Sequence, residues 1–157
     1  IKLKMEFIIF LSKIDREIVE LIKKSNYSIE ENAPLCLIDE KFIGFPQKFE
    51  KSIVICTNNA KKISNYRKIK KNNNDNHKTK LYIRRGLRHE ATHMAQSCNN
   101  NKITGIIGNL DQKIHKNKLK ALYSSVRISG NLEKEIEAYV MEDKPRKVKE
   151  AIKKYCL

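Results

Sequence analysis

The sequence predicts an α+β fold in which helices dominate over a small sheet. Three observations lead there. Apolar residues recur at helical spacing near the N-terminus and again from Leu81 onward. Between these regions lie two short runs, 35–38 and 52–57, rich in apolar and β-branched residues and readable as extended chain. Stretches rich in Asn, Gly and Pro separate the runs.

Residues 6–24 read as one amphipathic helix, with Phe7, Phe10 or Leu11, Ile14, Ile18, Leu21 and Ile22 on one face. Residues 26–34 break the pattern, and Pro34 disfavours helix at Ala33. Gly44-Phe-Pro46 marks a turn or loop between the two extended runs. Residues 68–80, polar and without periodicity, read as a solvated, mobile loop that could serve as a lid. A helix follows from Leu81, carrying Leu87, Ala91, Met94 or Ala95, and Cys98, and the Asn99-Asn-Asn101 run stops it. A third helical region spans 111–126 with Ile114, Leu119, Leu122 and Tyr123. Asn131 is placed to cap a further helix over 132–143, and 148–155 adds a short last one.

At 157 residues, 1–157 is expected to be a single domain with enough buried surface for a real core. The 40% hydrophobic content, spread along the chain, argues against intrinsic disorder. No apolar run is long enough for a membrane span, and the run 7–11 is too short for a signal-peptide core. Formal charge is +15 and the pI about 9.7, which raises nucleic acid as a partner. The cations are mostly Lys among many Asn and Ile, the trio an AT-rich coding sequence favours, so part of the charge is compositional. Arg, preferred for bidentate phosphate contacts, occurs seven times, with Arg84, Arg85 and Arg88 clustered. Cys36, Cys56, Cys98 and Cys156 form no Cys-x-x-Cys pair, which argues against a zinc ribbon or redox motif. They are expected to be free, mostly buried thiols in a reducing, cytoplasmic setting.

One constellation stands above the rest: His89-Glu90-Ala91-Thr92-His93, an HExxH sequence inside a predicted helix. Residues i and i+4 share a helical face, so both imidazoles can reach one Zn2+ ion. Glu90, next to the first His, can approach a zinc-bound water as general base. With 4 His in the chain, chance would produce the pattern in about 1 sequence of 100 like this one. Catalytic zinc takes three protein ligands. Downstream, His115 lies among Lys113, Lys116, Lys118 and Lys120, whose charge repels a dication. Glu133, Glu135 and Glu137 offer carboxylates at alternate positions of the predicted helix, where first-turn acids are also favoured by the helix dipole.

HExxH followed by Glu-x-x-Ala on a second helix resembles the gluzincin zinc metallopeptidases, particularly short soluble relatives of the CAAX-prenyl endopeptidase type. The block Leu87-Arg-His-Glu-Ala-Thr-His-Met-Ala-Gln96 is also similar to small bacterial and phage HExxH peptidases. The resemblance covers roughly residues 50–140. It implies a minimal zincin-like domain and a peptide or protein substrate, with His89, His93 and Glu135 as zinc ligands and Glu90 as the catalytic base. The family pattern Glu-x-x-Ala-Asp falls on Glu135-Ile-Glu-Ala138-Tyr139, so Tyr139 replaces the Asp that orients a ligand His, and that partner must come from elsewhere. On a helical wheel Glu135 lies with Leu132 and Tyr139, whereas Glu137 faces Val140 and Met141; Glu135 is preferred, with Glu137 next.

Weaker readings complete the set. Gln96, three residues after His93, is read as a helix-surface amide, with contact to substrate or a ligand as the alternative. The stretch 53–56 is either a core strand or an edge that pairs with an extended peptide. Tyr123, Arg127 and His115 are equal candidates for stabilising an oxyanion. The alternative function is a basic nucleic-acid-associated module with an incidental or structural metal. Oligomeric state leaves no trace in the sequence.

Overall fold

The computed structural model describes residues 4–47, 49–68, 76–109 and 116–157. It is an α+β arrangement of six α-helices around a three-stranded sheet among the described residues. The first helix is not continuous over 6–24. A 3-10 turn, Glu6–Phe10, precedes α1, Lys13–Lys24. Ser12 separates them because it adopts extended backbone to form a capping box with Asp15. The Glu31 carboxylate accepts the Glu6 and Phe7 N–H groups at the free start of the 3-10 turn.

The sheet has the order β1-β3-β2. β1, Ser28–Glu31, falls where the sequence reads only as a break, because Ile29 alone among its residues is apolar. β3, Ser52–Ile55, is the central strand, buried at every position, parallel to β1 and antiparallel to β2. The possibility that 53–56 is an edge is therefore excluded. The edge beside it is β2, Gly44–Gln47, expected as a turn. Pro46 is tolerated there because an edge strand need not supply every N–H to a ladder. Residues 35–38 are not extended either. Pro34 opens a 3-10 turn, Pro34–Leu37, that buries Cys36 and leaves Leu37 exposed. A short helix unforeseen from the sequence, α2, Thr57–Ile63, follows β3.

α3 runs over 22 residues, His77–Cys98, so positions 77–80 belong to a helix rather than to the expected loop. The remainder of that loop, 69–75, lies outside the described residues. After α3, Asn100 and Asn101 take positive φ (56° and 60°), the left-handed geometry in which Asn ends a helix. α4, Leu119–Ser129, follows a 3-10 turn, and the predicted helical positions 111–115 lie outside the described residues. α5, Leu132–Met141, starts as expected on Asn131, whose side chain accepts the Lys134 N–H. α6, Pro145–Tyr155, begins one turn earlier than predicted because proline suits the first helical position.

The core centres on α3. Ile83, Leu87, Ala91, Met94 and Ala95 are buried in one cluster with Ile18 and Ile22 of α1, Ile53 and Ile55 of β3, and Val148 and Ile152 of α6. A buried ion pair fixes α3 against α1. Arg88 donates from Nε and Nη2 to the two oxygens of Asp15, at 2.8 and 3.0 Å, and Asp15 is fully buried. No helix among the described residues is long and apolar enough to cross a membrane.

The cysteines are not free thiols. Cys36 pairs with Cys56, tying the 3-10 turn to the end of β3, and Cys98 pairs with Cys156, tying the ends of α3 and α6. Widely spaced cysteines gave no sign of partners in the sequence because the pairing depends on which element ends meet. The cytoplasmic expectation rested on free thiols and loses that argument. Titration of the unreduced, denatured protein is expected to find no reactive thiol, and two or more per chain would overturn the pairing. From the loops closed, over sequence separations of 20 and 58 residues, removal of Cys36–Cys56 should lower unfolding free energy by about 3 kcal/mol and of Cys98–Cys156 by about 4 kcal/mol, measured by denaturant unfolding.

Candidate metal centre

α3 sets His89 and His93 one turn apart on one face, and α5 packs beside it and brings Glu135 next to both rings. The two Nε2 atoms lie 3.1 Å apart. Glu135 Oε1 is 3.2 Å from His93 Nε2, and its Oε2 is 3.5 Å from His89 Nε2. One ligand atom from each of the three residues falls within 4.8 Å of the others, a group that could hold a metal ion. Glu133 is exposed on the same helix and takes no part, as the helical wheel anticipates.

Each imidazole is oriented through its other nitrogen. Glu142 Oε2 accepts the hydrogen bond from His89 Nδ1 at 2.8 Å, and Gln96 Oε1 accepts that from His93 Nδ1, also at 2.8 Å. Glu142 thus supplies what Tyr139 cannot. It sits at the C-terminal end of α5, seven residues and about two turns beyond Glu135, hence on the same face. That seven-residue spacing is the sequence signal for it. Glu142 is itself held: Lys118 Nζ lies 3.3 Å from its Oε1, and Arg88 Nη1 donates to its backbone carbonyl at 2.9 Å. Tyr139 packs its ring edge-on against His89, with centroids 4.5 Å apart, and its hydroxyl bonds Ser125 of α4 at 2.6 Å. Burial pushes that hydroxyl's pKa up to about 12, so it stays protonated.

Gln96 is not a surface amide; it is fully buried. Glu137, the second candidate ligand, is fully buried too but turned away from the imidazoles. Its carboxylate accepts the backbone N–H groups of Thr104 and Gly105 and the Gln96 side-chain N–H. Of the oxyanion candidates, Tyr123 and Arg127 occupy exposed positions on α4, and His115 lies outside the described residues.

Glu90 faces β2. The contact is close because Gly44 has no Cβ: one built there would stand 3.0 Å from Glu90 Cγ and 2.7 Å from the Val54 carbonyl. One turn earlier a Cβ on Gly86 would stand 2.7 Å from Cγ2 of Ile43, so each glycine makes room for a side chain where α3 packs on this edge of the sheet. Glu90 Oε2 and Glu135 Oε2 are the buried side-chain polar atoms without a hydrogen-bond partner among the described residues. Burial raises the Glu90 carboxyl above the usual carboxylate range, a shift that His89 and His93 only partly offset. For Glu135 burial acts in the same direction, but the two histidines outweigh it and hold its carboxyl well below that range. Burial works against the His89 cation, yet Glu135 and Glu142 beside it raise its pKa to about 10.

Comparison with known proteins places the chain. It belongs to the DUF8637 family, a domain of unknown function whose profile matches residues 7–157. No curated protein and no solved structure matches it. The match spans the whole metal-centre group of this DUF8637 chain, His89 to Glu142.

The raised His89 pKa has a measurable consequence in the metal-free protein. Its folded value of about 10 exceeds the unfolded value of about 6.5. The resulting stabilisation is fully present below about pH 6.5 and is lost as pH rises towards about 10. Urea midpoints in the presence of chelator should therefore fall over that window in the wild type, and this fall should vanish in His89→Gln. Parallel curves for the two proteins would overturn the assignment.

Proposed function

We propose that this chain is a zinc-dependent metallopeptidase of the gluzincin type, with a minimal zincin-like domain. The observation that carries the reading is the convergence of His89 Nε2, His93 Nε2 and the Glu135 carboxylate, with the unpartnered Glu90 carboxylate one residue from the first ligand. The donor set fits zinc: ligands at about 2.0–2.2 Å with tetrahedral angles stand roughly 3.3–3.5 Å from one another. The two Nε2 atoms are 3.1 Å apart, one Glu135 oxygen lies 3.2 Å from His93 and the other 3.5 Å from His89. One ligand atom from each residue lies within 4.8 Å of the others, so small side-chain adjustments suffice to meet that geometry. A His₂Glu set is also the one used by known catalytic zinc sites of this kind.

Zinc held by His89, His93 and Glu135 would supply Lewis-acid polarisation of a carbonyl and lower the pKa of water. The rest belongs to the chain. Glu90, in a dry pocket against Gly44, is suited by its raised pKa to take a proton from the attacking water and later return it to the leaving amine. β2 is an edge strand, so one side of its backbone is free to pair with an extended peptide. Because Gly44 touches Glu90, a peptide added there would run beside the base.

Purified wild-type protein is expected to carry close to one zinc per chain. Glu90→Gln should keep that metal and lose peptide hydrolysis by a factor of 100 or more, roughly the contribution of a positioned general base. Full activity in Glu90→Gln would sink the mechanism. Absence of zinc together with strongly salt-dependent DNA or RNA binding would favour the nucleic-acid module instead. A second comparison separates the acids of α5: Glu135→Ala should lose zinc on dialysis, and Glu133→Ala should retain it, as followed by metal analysis.

A further inference from the structure

The buried pair Gln96–Glu137 lies outside the metal-ligand group, yet its hydrogen-bond pattern bears directly on it. Gln96 Nε2 has two partners, the Lys134 carbonyl and Glu137 Oε1, both at 3.0 Å. Both are acceptors, so the amide nitrogen must face them. Its oxygen must then face His93 Nδ1, 2.8 Å away. An acceptor at Nδ1 requires the proton on Nδ1 and leaves the lone pair on Nε2, the atom that faces His89 and Glu135. Glu137 is in turn held as an acceptor, since Thr104 and Gly105 each give it a backbone N–H, at 2.8 and 3.0 Å. That strand of loop is anchored again by the Tyr155 hydroxyl, which donates to the Thr104 carbonyl at 2.7 Å.

We propose that Gln96 and Glu137 form a polarity relay that fixes the tautomer of His93. Backbone N–H groups of 104–105 hold Glu137, Glu137 and the Lys134 carbonyl hold the Gln96 amide in one of its two orientations, and Gln96 holds His93 with its lone pair aimed at the metal position. Glu137 and Gln96 are positioning residues, not ligands. The opposite amide orientation would set two acceptors against one another at Glu137 and place a donor against Nδ1, which would drive the His93 proton onto Nε2 and block coordination. The fold therefore spends a fully buried carboxylate and a fully buried amide on the state of one ring nitrogen. Removing a partner of this kind weakens metal binding by about 10–100-fold in zinc sites generally.

The relay rests on the zinc reading only for its purpose; the tautomer itself exists without metal, and the test begins there. In metal-free protein with uniform ¹⁵N labelling, long-range ¹H–¹⁵N correlation of the imidazoles should show wild-type His93 as the Nδ1–H tautomer. Gln96→Met, which keeps the bulk and removes the acceptor, should give a mixture of tautomers and weaken zinc binding about 10–100-fold by competition titration. Glu137→Met, which removes one of the two acceptors that hold the Gln96 nitrogen, should shift the tautomer and the zinc affinity in the same direction by a smaller amount. Wild-type His93 found as the Nε2–H form would overturn the proposal, whatever the zinc result. So would a Gln96→Met protein that keeps both the tautomer and the affinity of wild type. If Gln96→Met fails to fold, Glu137→Met decides: a folded protein that keeps both the tautomer and the zinc affinity of wild type overturns the relay. Wild type with the predicted tautomer but no zinc affinity would defeat the metallopeptidase reading and leave the relay standing.

Discussion

Two ring nitrogens 3.1 Å apart set the condition that the rest of the centre answers. Each imidazole gives its Nδ1 proton to an oxygen, so in the neutral state both present lone pairs to the same small space. Two lone pairs at that distance in a buried site repel, and the low dielectric strengthens the repulsion. Something positive must stand between or beside them. In the metal-free protein an added proton on His89 does so, and Glu135 and Glu142 beside it hold that proton against the cost of burial. A dication would do so with higher charge, and would also give the Glu135 Oε2 atom the partner it lacks.

That arrangement survives only because α3 is held from several sides. Arg88, beside the first ligand, reaches Asp15 in the capping box of α1 and the backbone carbonyl of Glu142 at the end of α5. One guanidinium thus fixes the start of one helix, the middle of another and the end of a third. Glycines at 44 and 86 let β2 close on the opposite face, and the Cys98–Cys156 pair fixes the helix end. Losing Arg88 would leave the Asp15 charge buried without its partner, the expensive case for ion pairs. The i, i+4 spacing of the two histidines is local, but its orientation is a property of the whole scaffold.

The split between local and global also explains what the sequence conveyed. The meeting of His89 and His93 was legible because i, i+4 geometry is intrinsic to a helix, and that of Glu135 with them because a wheel separates it from Glu137. The long helices were legible from their periodicity, and the Asn131 cap from its side chain. What failed depended on distant partners. β1 has a single apolar residue and becomes a strand only because β3 is beside it. Pro46 reads as a loop until its place at a sheet edge is known. The run at 35–38 looked like a strand because it is apolar, yet Leu37 and Ile38 are left exposed and only a cysteine is buried. Gln96 carries no mark of its role, and Glu142 carries only its seven-residue spacing from Glu135, since an amide and a carboxylate on a helix are ordinary until the facing helix is in place.

Charge closes the argument. The chain carries a formal +15, yet Glu90, Glu135, Glu137 and Glu142 are gathered and buried around two histidines. Burying carboxylates is costly unless each is answered. Glu142 is answered by Lys118 and His89, and Glu137 by three N–H donors. Glu135 and Glu90 are left, each with one oxygen that nothing satisfies. In the metal-free protein the His89 proton offsets part of this carboxylate charge, and a divalent cation would offset more of it. The excess of surface lysine then has a different meaning from the one composition suggests. It says little about the interior, where the local balance runs the other way, towards buried carboxylates.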